Sequence, residues 1–305
     1  RKDVWNSAKI SARFNCQVSN ASEISANSTA EIPPKFPPNL TAVNFTVNST
    51  KFYGRISAIQ FGGISIWRET LEGEDLCQVK QQLNDAGLEG ISLVRGGFFT
   101  GATGKERRDA LEVNRQALKE AEILELPSIV LVCGATVGQT PGENYAQIRD
   151  GIGAIADEAE RMGVRLLVEP LHPVFAGDRS AISSLKVAND LCEELNHANV
   201  GIALDVYHVW WEHDLAEQIE RCAQGGWLDT YHICDFKPDQ SEMLLDRGIM
   251  GEGCADLRGI DRMMSEAGFD GRREVEIFSS KWWARDQNEF LDEILNAYHK
   301  IYRTT

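Results

Sequence analysis

The chain has 305 residues, 43% of them hydrophobic, and a formal net charge of −15 at pH 7. That is enough apolar material for one large core, and so acidic a surface disfavours nucleic acid and anionic membranes, which are held by basic patches. Seven scattered cysteines, odd in number and without a CxxC pair, do not make a disulfide scaffold, and no apolar run approaches a membrane span; a reducing, cytoplasmic setting is expected.

Residues 1–40 are rich in Asn, Ser, Thr and Ala and close with the rigid PPKFPP, which predicts a polar N-terminal tail or extended arm ahead of a single domain over 41–305. Five Asn-x-Ser/Thr sequons fall in it or at its border, at Asn20, Asn27, Asn39, Asn44 and Asn48; a segment of this composition makes them by chance, so they do not by themselves imply glycans. From Thr41 onward, short apolar runs alternate with amphipathic stretches. Strands are predicted at 42–47, 63–67, 90–94, 128–133, 165–169, 201–206, 229–234 and 273–278. Helices are predicted near 74–86, 105–124, 143–162, 181–195, 214–223, 257–267 and 286–300, with Thr103 as one start signal and Gly163 and Gly268 as stops. The segment 49–62 is too short and too apolar for a full helix and is expected to form a turn over the barrel bottom. Eight strands with helices between them predict an α/β fold, a (β/α)8 TIM barrel with an N-terminal extension.

In such a barrel the C-terminal strand ends gather side chains at one mouth. Four polar residues stand at that position: Glu169 in RLLVEPLHP, Asp205 in GIALDVYHVWW, His232 in LDTYHICD and Glu276 in REVEIFS. By strand alternation Leu167 and Glu169 share a face, as do Ala203 and Asp205, Thr230 and His232, and Glu274 and Glu276, so each inward set ends in a ligand. Three carboxylates and one imidazole, with no thiolate, suit one divalent ion, Mn2+ first, with Mg2+, Co2+ or Zn2+ as alternatives. Glu274, one layer below Glu276, is expected to need a basic partner, Arg165 or Arg95.

Other polar and aromatic groups crowd the same strand ends. His172 in EPLHP and His208 in DVYH are candidates to move protons beside the ion, and Arg247 in DRGIMGEG and Arg95 in VRGG to clamp an anionic oxygen or phosphate. Asp235, just beyond His232, is a candidate substrate contact and acid. Trp67 and Trp210, with Trp211 beside it, are candidates to stack on a sugar face, whereas Trp282 and Trp283 fit either that role or a subunit contact. The Gly-rich stretches GGFFTGATG and GATVGQTPG match neither a Walker nor a dinucleotide-binding pattern and are expected to be mobile loops at the barrel top.

Taken together, VEPLHP, LDVYHVWW, YHICD, DRGIMGEG and EVEIFSSKWW resemble the xylose isomerase-like TIM-barrel superfamily, in particular its sugar phosphate isomerase/epimerase branch, over residues 42–300. The resemblance implies one divalent metal held by Glu169, Asp205, His232 and Glu276. It also implies that Glu169 and Glu276 flank the substrate carbon and move protons, that His208 helps hold a substrate oxygen, and that the chain forms a homo-oligomer, a hetero-oligomer remaining open. His172 departs from the two-glutamate pattern by offering a third candidate base. The scaffold also carries enzymes that dehydrate inososes or eliminate an aglycone from oxidised C-glycosides. Three readings therefore stay open: an isomerase or epimerase of a sugar, keto-sugar or cyclitol; a lyase sharing the first proton abstraction; and a non-catalytic sugar-binding barrel.

Overall fold

The computed structural model describes residues 40–43, 56–57 and 61–302. The chain divides into two units, Arg1–Lys35 and Phe36–Thr305, and the described residues belong to the second. The predicted tail, its sequons and most of the segment 49–62 lie outside them.

Eight parallel strands form the centre: β1 Leu40–Val43, β2 Gly63–Trp67, β3 Glu89–Gly97, β4 Ser128–Val132, β5 Arg165–Val168, β6 Val200–Asp205, β7 Leu228–Ile233 and β8 Arg273–Glu276. Each pairs with the next in the chain, and β8 returns to β1, closing a TIM barrel. One face of the strands fills the barrel and the other meets the helices, so every residue of β2, β4 and β6 is buried.

The helices of the outer ring present one buried stripe each. In Gly104–Leu124 the stripe is Asn114, Ala117, Leu118, Ala121 and Leu124, the three-to-four spacing of a helix lying on a sheet. Their ends are fixed locally. Thr103 and Thr140 each close a reciprocal capping box, with Glu106 and Glu143, and Pro141 opens the second of these helices. Gly163 and Gly268, at φ 70° and 85°, follow the helices Pro141–Arg161 and Leu257–Glu266 as expected of stop signals.

Some boundaries differ from expectation for identifiable reasons. The first strand begins at Leu40 rather than residue 42, and residues 44–47 of its predicted span lie outside the described residues. β3 runs three residues past its predicted end, because the Asn114 side chain both accepts from Gly97 N and donates to Gly97 O, so Arg95 lies within the strand. The helix expected from 181 begins at Leu185, where Ser184 accepts a hydrogen bond from Val187 N and caps it.

Strand stagger decides which residues meet at the mouth. Asp205 pairs directly with His232, so these two are level. By contrast His232 pairs with Glu274, and Val168 pairs with Ile202, which sets Glu169 beside Ala203. Each of those two steps is two residues short of the next ligand along the neighbouring strand. Barrel strands tilt, and the shear of such a barrel accumulates as two-residue steps at alternate strand pairs. That stagger lifts Glu169, Asp205, His232 and Glu276 to one height and leaves Glu274 a layer beneath.

Candidate metal centre

Glu169, Asp205, His232 and Glu276 converge. One ligand atom from each lies within 4.8 Å of every other, and all four residues are buried. His232 Nδ1 sits centrally, 3.5 Å from Glu169 Oε1 and 3.6 Å from Glu276 Oε2. Glu169 Oε1 and His232 Nδ1 have no hydrogen-bond partner although both are buried. Buried polar atoms normally find a partner, and a set of them aimed at one point fits a cation. Asp205 is oriented from behind: its Oδ1 accepts from Tyr207 N, which starts the one-turn helix Val206–Val209 and turns Oδ2 inward.

The same crowding perturbs protonation. Burial pushes Glu169 well above the usual carboxylate range. Burial would raise Glu276 too, but His232 and the Arg247 guanidinium outweigh it and hold that carboxyl low. Burial would lower His232, yet Glu169 and Glu276 beside it keep the ring well above the ordinary imidazole value. Without a metal, one histidine proton and one arginine balance this cluster of acids.

Arg247 is that arginine. Its Nη1 donates to Asp205 Oδ2 at 2.7 Å and to Glu276 Oε2 at 3.1 Å, and its guanidinium lies over Tyr207 at 4.3 Å and Phe278 at 4.7 Å. Two backbone bridges hold it there, Asp235 to Gly248 and Asp246 to Ser279, with Arg247 N donating to Phe278 O between them. Asp235, expected as a substrate contact or acid, has a different task. Its carboxylate accepts from the backbone N–H of Phe236, Gly251 and Ala255 and so shapes the loop that carries Arg247. The loop wraps it so closely that a side chain at Gly253 would lie 2.3 Å from Asp235 Oδ1.

His208 and His172 stand beside the cluster as a linked pair. His208 Nδ1 accepts from His172 N at 3.1 Å, which leaves the neutral ring's proton on Nε2, 3.7 Å from Asp205 Oδ2 and 3.2 Å from Arg247 Nη2. Burial drives the His208 pKa down to about 3. The two N–H groups thus lie side by side, with Asp205 Oδ2 next to both residues. His172 in turn accepts from Val174 N through Nδ1, so its neutral ring carries its proton on Nε2. The third candidate base of the sequence is thus a hydrogen-bond donor in this arrangement.

An aromatic wall adjoins these histidines. Phe236 stacks on His172 at 5.6 Å and packs against Tyr207 at 5.2 Å and Trp210 at 5.0 Å, while Trp211 meets His172 edge-on and donates to His208 O. Trp67 is 8% exposed and lies edge-on to Phe278, on the far side of Arg247. Arg95 pairs with Glu69 at 3.0 Å and, with Arg68 and Phe98, lines a cleft of ≈ 620 Å³ on the β2–β3 side rather than joining the four ligands. Trp282 stacks on Phe290 of the last helix, away from the mouth.

A family model described as xylose isomerase-like TIM barrel matches residues 54–294. The chain belongs to the xylose isomerase-like TIM barrel family. Protein SMc04130 of Sinorhizobium meliloti 1021, known from its crystal structure, is 35% identical with a TM-score of 0.82, over 86% of this chain and 98% of that one. A ketose 3-epimerase of Arthrobacter globiformis is 28% identical over 147 residues, 48% of this chain; the match spans 46%, about half, of that curated relative's length. The IolI protein, solved with a bound zinc atom, shares the family fold at 19% identity and a TM-score of 0.73, over 86% of this chain and 97% of that one.

Three contributors escaped the sequence. Phe236 follows Asp235 with nothing to mark it, and Tyr207 reads as an ordinary apolar residue between two singled-out neighbours. The third is the partner of Glu274, which is not an arginine: Arg165 pairs with Asp229 at 3.0 Å and Arg95 with Glu69, whereas Glu274 accepts from Ser65 Oγ at 2.5 Å. A small hydroxyl inside a strand leaves no charge pattern to detect.

Proposed function

We propose that this barrel is a divalent-metal-dependent enzyme that moves a proton on a carbon next to a carbonyl in a sugar or keto-sugar, as an isomerase or epimerase does. The observation that carries it is the convergence of four strand-end ligands, two with unpartnered inward atoms, beside two adjacent N–H donors. The similarity to a ketose 3-epimerase supports the substrate class.

An ion held by Glu169, Asp205, His232 and Glu276, Mn2+ first for so oxygen-rich a set, would polarise vicinal carbonyl and hydroxyl oxygens and acidify the intervening C–H. The chain supplies the remainder. In this reading Glu169, just past β5, and Glu276, at the end of β8, take and return a proton on opposite faces of one carbon. Arg247 Nη2 and His208 Nε2 donate to the substrate oxygen on which negative charge builds. His172 Nε2–H offers a third donor at the rim. Phe236 and Trp210 give an apolar face for the sugar ring and shed water from the reacting carbon.

Elimination of a leaving group would require an acid across the site; backbone amides occupy Asp235, which leaves His172 Nε2–H as the group that would serve the lyase, kept as the second reading. No helix among the described residues is long and apolar enough to cross a membrane; a cytoplasmic homo-oligomer is part of the same proposal. Incubating the protein and Mn2+ in D2O with a panel of ketoses, keto-glycosides and inososes tests the reaction. Deuterium entering the carbon next to the carbonyl supports it; no exchange and no turnover across the panel sinks it, and release of an aglycone or an enone product moves the assignment to the lyase.

A further inference from the structure

Beneath the four ligands lies a fourth carboxylate that the proposed chemistry leaves without a task. Glu274 is fully buried on β8, two residues before Glu276. A carboxylate in the barrel interior is costly to keep unless it serves a partner. Its two oxygens are differently placed. Oε2 accepts from Ser65 Oγ at 2.5 Å, and Ser65 Oγ accepts from Ser92 Oγ at 2.8 Å, a chain of two buried hydroxyls reaching across from β2 and β3. Oε1 has no hydrogen-bond partner and lies 4.0 Å from His232 Nε2, which has none either. The pairing of His232 with Glu274 across β7 and β8 fixes this juxtaposition in the backbone itself.

His232 must present Nδ1, not Nε2, to the cluster, because Nδ1 is the atom beside Glu169 and Glu276. A neutral imidazole coordinates through one nitrogen only when its proton sits on the other, so the ring is useful in one tautomer, with the proton on Nε2. An acceptor beneath that proton selects the tautomer and fixes the ring plane, and loss of such a partner typically weakens metal binding 10- to 100-fold.

We propose that Glu274 is a positioning residue for the metal centre: held by the Ser92–Ser65 hydroxyl chain, its carboxylate accepts from His232 Nε2–H and so aims Nδ1 at the ion. The inference rests on the proposed metal role of the cluster, and its test includes a measurement on metal-free protein that separates the two. Glu274→Gln keeps the shape but has one acceptor oxygen. With Ser65 donating as it does to Glu274, the amide oxygen faces Ser65 and the NH2 faces His232 Nε2. Ser65→Ala leaves the carboxylate but removes its anchor.

The first measurement is the His232 Nε2–H in metal-free, 15N-histidine-labelled protein, where the ring beside Glu169 and Glu276 carries protons on both nitrogens: its 1H shift and exchange rate, assigned by the missing ring signals of His232→Gln. Wild type should show a downfield, slowly exchanging Nε2–H, and E274Q an upfield, faster-exchanging one. The second is Mn2+ and Co2+ binding by calorimetry: E274Q should raise Kd about 10- to 100-fold, and S65A a few-fold in the same direction. An unchanged Nε2–H signal in E274Q, or an E274Q Kd within twofold of a wild type that binds Mn2+, overturns the inference and leaves the metal centre standing. A wild type with the downfield Nε2–H that binds neither ion overturns both, because Glu274 would then orient His232 for some other purpose.

Discussion

Arg247 offers the most quantitative test of how this site is held together. It is 4% exposed and serves two buried carboxylates at 2.7 and 3.1 Å. Arg247→Met keeps apolar volume over Tyr207 and Phe278 but removes the cation, so in chelator Asp205 and Glu276 face each other unbalanced. Removing one partner of a buried ion pair costs about 3–5 kcal/mol. In a barrel of this size each kcal/mol moves Tm by about 2–4 °C, which sets the expected loss at about 6–20 °C by differential scanning fluorimetry in EDTA. Adding Mn2+ returns positive charge to the same carboxylates, so R247M should gain more Tm from Mn2+ than wild type does and should bind it more tightly. A loss below about 3 °C in EDTA, or a deficit that widens on adding Mn2+, would refute the reasoning.

Other expectations follow from particular contacts. Glu169→Ala and Glu276→Ala should each cut turnover by at least about 100-fold with the circular dichroism spectrum unchanged, since strand-tip groups carry chemistry rather than core; Asp205→Ala should regain part of its lost rate in excess Mn2+. The folded His208 pKa, about 3, lies below the unfolded value of about 6.5, so the unfolded state binds more protons between them. Stability contributed by His208 should therefore fall as pH drops below about 6.5, by about 1.4 kcal/mol per pH unit, and denaturant titrations of His208→Gln should show a shallower acid slope than wild type. Gly253→Ala, which forces a methyl against Asp235 and Phe236 O, should speed amide exchange across 247–255 and lower kcat together with it; protection equal to wild type would show that the loop yields without harm.

The barrel and the four-residue cluster at its mouth were legible because they obey periodic rules. Strand alternation alone placed Glu169, Asp205, His232 and Glu276 on the inner face, and the two-residue stagger of β5–β6 and β7–β8 then set them at one height. What stayed hidden was every role fixed by contacts between distant parts of the chain. Asp235 looked like a site acid, and only the loop's return shows backbone amides filling its carboxylate. His172 looked like a base until Val174 N was found on its Nδ1. Glu274 called for an arginine by charge balance, yet Ser65, backed by Ser92, answers one oxygen and the other faces His232 Nε2 at 4.0 Å, because a hydroxyl can satisfy a buried oxygen without a pattern in the sequence.

Anomalous diffraction at the manganese edge, from crystals grown with Mn2+, bears most directly on the central claim. The account predicts one strong peak within about 2.0–2.3 Å of one atom each from Glu169, Asp205, His232 and Glu276, with His232 contributing Nδ1 and with Arg247 turned from Asp205 towards the substrate space. A map with no peak among those four residues at saturating Mn2+, the Arg247 ion pairs unchanged, would contradict it.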